Sequence, residues 1–357
     1  MSRLQSKLSA EGVDLLALAP GAHLAWLLGF NPHGDERPLL FCVTPESAGF
    51  LMPALEADSA RQHTDLPFHC WVDDAGPQAA FDALLEDLGA GNAGSIALDE
   101  TMRADHAALV QDRLMNAKRQ FTESTVGAMR MRKDEAEFAI LKHNAQTADR
   151  AMQAAWGAMQ VGMTELEVAG IVKDAFRDQG VAPLFWIIGT GGNGAFPHHQ
   201  TGETRLKEGD AVIMDIGGGV DSYCSDITRM AVLGAAPEGF DEVHAVVNAA
   251  VEAALQAARP GVKAHVLDDA ARAVITEAGY GDYFVHRTGH GLGTTVHEPP
   301  YITASSQTVL EEGMVFSIEP GIYLPDRFGL RLEEIVYVRA DGPEILSDLP
   351  RDVRVVG

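Results

Sequence analysis

Cysteine is scarce in this chain. Cys42, Cys70 and Cys224 are too few and too scattered for a disulfide framework or a thiolate zinc site, and a reducing cytoplasm is the compartment that fits. Positive charge is short as well: 27 Lys and Arg stand against 51 Asp and Glu, a formal net charge of −24. Nucleic acid and anionic membrane surfaces are bound through Lys and Arg that neutralise phosphate, so neither is expected as a partner. Long apolar runs are missing too. The most hydrophobic stretch, residues 13–30, is interrupted by Asp14, Pro20, Gly21 and His23, and Met1-Ser2-Arg3-Leu4-Gln5-Ser6-Lys7 has no charged-then-apolar leader pattern. Neither membrane spanning nor export is expected.

What the chain does have is core-forming residues, 46% hydrophobic over 357 positions, enough for two domains. In residues 1–122, the apolar runs 13–18, 39–43, 50–52, 68–72 and 95–98 read as strands, with helical stretches between most of them. The alternation predicts an α/β domain. No phosphate loop follows its first strand, so it reads as accessory rather than nucleotide-binding. A basic junction, Met129-Arg130-Met131-Arg132-Lys133, leads into a long amphipathic helix. There Phe138, Leu141, Ala145, Ala148, Met152, Ala155 and Met159 recur at three- and four-residue steps. A second domain, residues 128–357, is expected from there. Its helices fit 241–258 and 265–278, and its strands fit 185–188, 211–216, 229–233, 314–318 and 334–338. The class overall is α/β (α+β).

The second domain repeats itself. Gly162 to Gly180 and Gly261 to Gly279 bracket helical stretches of equal length, the first opened by a Thr164/Glu167 capping box. Leu206-Lys207-Glu208-Gly209 then leads to Asp215 and Gly217, as Leu310-Glu311-Glu312-Gly313 leads to Glu319 and Gly321, at identical offsets. Each half also carries a His (His198, His297) and a further acid (Asp226, Glu333). The repeat is too long for a solenoid unit and predicts a duplicated half-domain with its polar residues meeting at a pseudo-twofold interface. His290, in Gly289-His290-Gly291-Leu292-Gly293, has no counterpart. Asp215 and Glu319 end apolar runs, where an unpaired carboxylate carries a large desolvation cost unless a cation or an Arg such as Arg331 or Arg229 meets it. Four carboxylates and one imidazole, Asp215, Asp226, His290, Glu319 and Glu333, form a set able to hold two divalent cations. Mostly oxygen with one nitrogen suits Mn(II), Co(II), Fe(II) or Zn(II).

Gly189-Thr190-Gly191-Gly192-Asn193-Gly194 matches the dinucleotide fingerprint, but Phe196-Pro197 stands where a helix should begin. It reads as a turn bringing backbone near a substrate, or as an ordinary loop. His106, His143 and His199 read as ordinary surface or core histidines.

Met214-Asp215-Ile216-Gly217, Ser225-Asp226-Ile227-Thr228-Arg229, Gly289-His290-Gly291-Leu292-Gly293, Ser317-Ile318-Glu319-Pro320-Gly321 and Arg331-Leu332-Glu333-Glu334 resemble, in order and spacing, the metallopeptidases of the pita-bread fold. Within that family they resemble the proline-specific members, prolidase and aminopeptidase P. The resemblance covers residues 125–357 strongly, and the N-terminal domain resembles the creatinase-like accessory domain in size and alternation. It implies two metals, with Mn(II) foremost. Asp215 would chelate one, Asp226 and Glu333 would bridge both, and His290 with Glu319 would complete the second. Glu319 would be the general base, with His198 and His297 flanking the substrate, His286 enclosing the proline ring and Arg331 orienting a metal carboxylate. It implies a homodimer and peptide substrates with proline second. An Xaa-Pro dipeptidase is slightly favoured over an aminopeptidase acting on longer peptides, and a non-catalytic binding module is the third reading. The archaeal prolidase pattern has an Arg where this chain has Tyr301. The loop Asn31-Pro32-His33-Gly34-Asp35-Glu36-Arg37 falls where some members reach into a partner's site, so Arg37 or His33 is a candidate substitute for that cation.

Overall fold

The computed structural model describes all 357 residues, which form two compact units, Met1–Arg130 and Met131–Gly357. The first unit is built on a six-stranded sheet. Its strands are β1 (Leu15–Leu18), β2 (Leu40–Val43), β3 (Ala48–Pro53), β4 (Phe68–Trp71), β5 (Ser95–Leu98) and β6 (Lys118–Phe121), in the order β4-β3-β2-β1-β5-β6. The unbroken apolar runs follow from burial on both faces. Leu15, Ala17, Leu40, Cys42 and Leu51 enter one core, while Leu16, Leu18, Phe41, Val43, Phe50 and Met52 enter the other. Strand β6 has no apolar run to announce it: Lys118 and Arg119 are exposed on the sheet edge, where charge guards against further pairing.

The second unit contains two helix pairs, Glu135–Ala158 with Glu165–Arg177 and Phe240–Ala257 with Ala264–Glu277. The first helix is opened by a capping box of Asp134 and Glu137, the second by the Thr164/Glu167 box read from the sequence. One sheet joins β7 (Ala182–Thr190), β8 (Ala211–Val220), β9 (Tyr223–Cys224), β10 (Ile227–Leu233) and β18 (Arg354–Val356). The other joins β11 (Gly289–Gly291), β12 (Glu298–Ile302), β13 (Val315–Ile318), β16 (Glu334–Arg339) and β17 (Gly342–Ile345), and a hairpin is formed by β14 (Gly321–Leu324) and β15 (Phe328–Arg331).

The sequence repeat is a repeat of backbone hydrogen bonds. Gly162 N–H donates to Leu206 and Leu206 N–H to Met163; Gly261 N–H donates to Leu310 and Leu310 N–H to Val262. Gly162 and Gly261 have φ 91° and 87°, and Gly209 and Gly313 have 86° and 87°, a left-handed geometry that a side chain disfavours. Two matched halves, each a helix pair with a mostly antiparallel sheet, make up this unit.

The glycines of residues 189–194 serve packing. Thr190 ends β7, and Gly191–Ala195 is a single 3₁₀ turn rather than a helix start. A Cβ on Gly329 of β15 would fall 1.8 Å from the Gly194 carbonyl oxygen, so two backbones touch where side chains would stand. The backbone here meets a strand, and none of these residues lines the cleft described below. Gly329→Ala is expected to cost about 1–3 kcal/mol, the range for overpacking. An unchanged midpoint in chemical denaturation would count against this reading of the contact.

Candidate active site

Asp215 lies in β8, with Ile187 of β7 on one side and Thr228 of β10 directly opposite on the other. The remaining acids sit in period-two pairs that strand alternation turns to one face: Asp226 with Thr228, Ser317 with Glu319, Arg331 with Glu333. Their partners come from these pairs. Thr228 Oγ1 donates to Glu333 Oε2 at 2.9 Å, Ser317 Oγ to Glu319 Oε1 at 2.9 Å, and Arg331 to Asp215 Oδ2 at 2.6 Å. Of the two arginines the sequence offers as partners for a strand-end acid, Arg331 meets Asp215, whereas Arg229 pairs with Glu334.

His290 projects from β11, which is squeezed between β12 and β13. A Cβ on Gly289 would lie 1.8 Å from Ser317 O and one on Gly291 2.3 Å from Pro299 O, so only glycine fits on either side. The His290 Nδ1 lies 3.1 Å from the Gly291 carbonyl, which can only accept, so Nδ1 carries the proton and Nε2 is left with a lone pair. That lone pair faces Glu319 Oε1 at 3.1 Å and Asp226 Oδ2 at 3.8 Å. A lone pair and a carboxylate oxygen at this distance repel unless a cation, proton or metal, lies between them.

Two buried oxygens, Asp215 Oδ1 and Glu333 Oε1, have no hydrogen-bond partner. Ligand atoms of Asp226, His290 and Glu333 all lie within 4.8 Å of one another. The carboxylates carry the strain of this crowding. Burial, then Glu333, Asp215 and Glu319, push Asp226 well above the usual carboxylate range; burial, then Glu319 and Asp215, do the same to Glu333. Glu319 goes the other way. Burial opposes its ionisation, but when a proton rather than a metal lies between it and His290 Nε2, the His290 hydrogen bond and the charges of His290, Arg331 and His286 bring it to about 2. A cluster with surplus negative charge, orphaned oxygens and one bare imidazole nitrogen fits divalent cations. Asp226 and Glu333, with raised pKa, hold protons at a pH where exposed carboxylates have lost theirs. Metal loading is therefore expected to release protons and to weaken as pH falls. Calorimetric titration with Mn(II) in buffers of different ionisation enthalpy measures this, and a buffer-independent heat would refute it.

Asp215, Asp226, His290 and Glu319 line a cleft of about 650 Å³, in the range of small-molecule sites, with walls that include Leu184, Phe185, Ile187, Pro197 and Val296. His198, His286 and His297 line it too. The His297 ring lies 4.0 Å from that of His290, and burial, then the charges of His290 and Arg287, push its pKa down to about 4. His286 Nδ1 donates to Arg287 O, so its Nε2 accepts from Tyr323 OH at 2.7 Å, and Tyr323 OH in turn accepts from Arg331 at 2.7 Å. Burial drives His286 down to about 4 and Tyr323 up to about 12.

Tyr301 and Arg37 each have partners within the chain. Tyr301 is not a lining residue; its ring carries the Arg287 guanidinium at 4.6 Å. Arg37, in the first unit, is engaged by Asp35 at 2.7 Å and Asp73 at 2.9 Å. His199 is bound to the buried Glu165 at 2.8 Å, His106 is buried and His143 is exposed. Sequence reading missed Thr228, Ser317, Tyr323 and Arg287. Thr228 and Ser317 had a signal, a hydroxyl two positions from an acid in an apolar strand. Tyr323 and Arg287 had none short of the fold.

Residues 139–340 match metallopeptidase family M24, and residues 1–132 match the creatinase/prolidase N-terminal domain. The chain belongs to family M24 and is a metallopeptidase. It is 36% identical over 353 residues to the probable dipeptidase PepE of Mycobacterium tuberculosis, covering 97% of this chain and 92% of that one. The prolidase of Thermococcus sibiricus superposes with a TM-score of 0.92 at 31% identity, over 99% of this chain and 98% of that one. The X-Pro aminopeptidase of Thermotoga maritima superposes with a TM-score of 0.81 at 31% identity, over 98% and 100%.

Proposed function

We propose that the cleft hydrolyses the bond between an N-terminal residue and proline, with dipeptides as the preferred substrates. The observation that carries this is the convergence of Asp215, Asp226, His290, Glu319 and Glu333 on a cleft with apolar walls. Similarity to a probable dipeptidase and to a prolidase supports the choice of dipeptide; similarity to an X-Pro aminopeptidase supports the second reading, action on longer peptides. Asp215, Asp226, His290, Glu319 and Glu333 would hold two cations, with Mn(II) the proposed metal. When bound, these supply an acidified water and an electrophile for the scissile carbonyl.

The side chains do the rest. Glu319 takes the proton of the attacking water, as a carboxylate whose ionised form the charge of Arg331 favours. His297, kept neutral by burial, offers an N–H to the carbonyl oxygen as charge develops there, and His198 serves from the same cleft. His286, fixed by Tyr323, packs against the proline ring, and Arg331 sets the orientation of Asp215. A bond to proline lacks an N–H, so no donor from substrate backbone is needed at that amide. Three free thiols support a reducing cytoplasm as its compartment, and a homodimer is the proposed assembly. Metal analysis with assays on Ala-Pro and Ala-Pro-Ala in Mn(II) tests the proposal. Preference for Ala-Pro is the expected result, preference for Ala-Pro-Ala establishes the aminopeptidase reading, and inactivity on both refutes each.

A further inference from the structure

One cation in the cleft acts in the chemistry above only through its field at His297. Arg287 lines the cavity between His286 and the anchored Thr288, yet no carboxylate or carbonyl engages its guanidinium. The neighbouring arginines are committed: Arg331 to Asp215 and Tyr323, Arg272 to Asp268 and the His286 carbonyl. In a chain with 51 acids, an Arg facing a cleft without an acid partner is a group kept available.

Its setting is built. The guanidinium carbon lies 4.6 Å from the centre of the Tyr301 ring, so the aromatic face holds one side of the planar fork while its edge N–H groups stay free. The backbone beneath it is fixed on both sides. Arg272 donates to the His286 carbonyl at 2.9 Å, and Thr288 N–H and Oγ1 bind Asp268 at 3.1 and 2.8 Å. A fork with its face stacked, its edge exposed and its base rigid matches a carboxylate bidentately.

The rest of the cavity decides which carboxylate. Asp215, Asp226, His290 and Glu319 are committed to the proposed cations and to the scissile carbonyl, so the carboxylate of a bound dipeptide falls in another part of the cleft. In a dipeptide ending in proline the free carboxylate sits on the carbon beside the ring nitrogen, whereas in a longer peptide that group is a neutral amide. We propose that Arg287, stacked on Tyr301, binds the carboxylate of the proline residue and makes the cleft selective for dipeptides. The inference rests on the peptidase reading above and assigns Tyr301, the departure from the archaeal pattern, the part of a platform rather than a contact.

Three substrates test it on the full-length, metal-loaded protein: Ala-Pro, Ala-Pro-amide, in which only the carboxylate is neutralised, and Ala-Pro-Ala. Wild type is expected to prefer Ala-Pro over the amide in kcat/KM by about 10–100-fold, the scale of hydrogen bonds to charged groups. Arg287→Met raises KM for Ala-Pro by a similar factor, changes kcat little and leaves the amide unaffected. Arg287→Lys retains part of the preference, Tyr301→Leu loses part and Tyr301→Phe keeps it. Equal metal content and melting temperature across the variants exclude a folding defect. Full preference retained in Arg287→Met overturns the inference, as does its loss in Arg37→Met alone. Wild type that cleaves Ala-Pro and its amide equally well removes the clamp and leaves the peptidase standing; wild type inert to all three removes both.

Discussion

Glu319→Gln is expected to lower kcat on Ala-Pro by about 10²–10⁴-fold, the contribution of a positioned general base. Gln has nearly the same shape and keeps an oxygen to accept from Ser317 Oγ, which bonds Glu319 at 2.9 Å. It removes the proton acceptor and the negative charge that Arg331 favours. The effect should fall on kcat more than on KM, because the proton moves only as the bond to water forms. Glu319 is also a proposed ligand, so metal content must be measured on the same sample. A rate within about tenfold of wild type with both metals bound, against the range given for base catalysis, would refute its role as base.

Arg229→Met is expected to destabilise the protein by about 3–5 kcal/mol, the cost of leaving a buried charge without its partner. Arg229 is fully buried at 0% exposure. It donates to both oxygens of Glu334 at 3.1 and 3.2 Å, to Pro350 O at 3.0 Å, to Leu349 O at 2.8 Å and to the Glu333 carbonyl. Met fills much of the volume but none of these acceptors. Glu334, whose carboxyl is already pushed up by burial, then keeps only Arg351. Because the guanidinium also pins the backbone of Glu333, metal affinity should fall by about 10–100-fold, as it does when groups behind a ligand are lost. Urea unfolding and metal titration measure the two effects. A stability loss below about 1 kcal/mol would show that the network does not hold the centre. Arg229→Met with Glu334→Gln should recover part of the loss, since the stranded charge is then gone.

The halves and the ligand candidates were legible in the sequence because both rest on short-range patterns. Gly162 and Gly261, Gly209 and Gly313, Asp215 and Glu319 recur at fixed offsets, and the structure places each glycine pair in matching geometry. The long helix was legible from its apolar steps, although its true start at Asp134 lay in a capping box that the run of hydrophobics does not reveal. The strands that escaped notice, β6, β9, β11, β12, β14, β15, β17 and β18, are none of them longer than five residues, and pairing rather than propensity makes them strands. Arg287 was invisible for a different reason. Its partner Tyr301 is distant in sequence and adjacent only because β11 pairs with β12. The glycine fingerprint is the converse case, a familiar spacing without its usual helix that arises where Gly194 touches Gly329.

The bonds that Arg229 makes to Leu349 join residues 120 positions apart, and β10 pairs in parallel with β18 at Ala231 and Arg354. The strand that carries Thr228, and with it the hold on Glu333, has β8 beside it early but lacks its second neighbour until residue 356 has been synthesised. Helix pairs can form as the ribosome delivers them, but closing loops of this length comes late. Completion of the metal centre's support is in this sense a late event of translation: a chain that stops before β18 carries every acid but lacks the edge strand beside the one that bears Thr228.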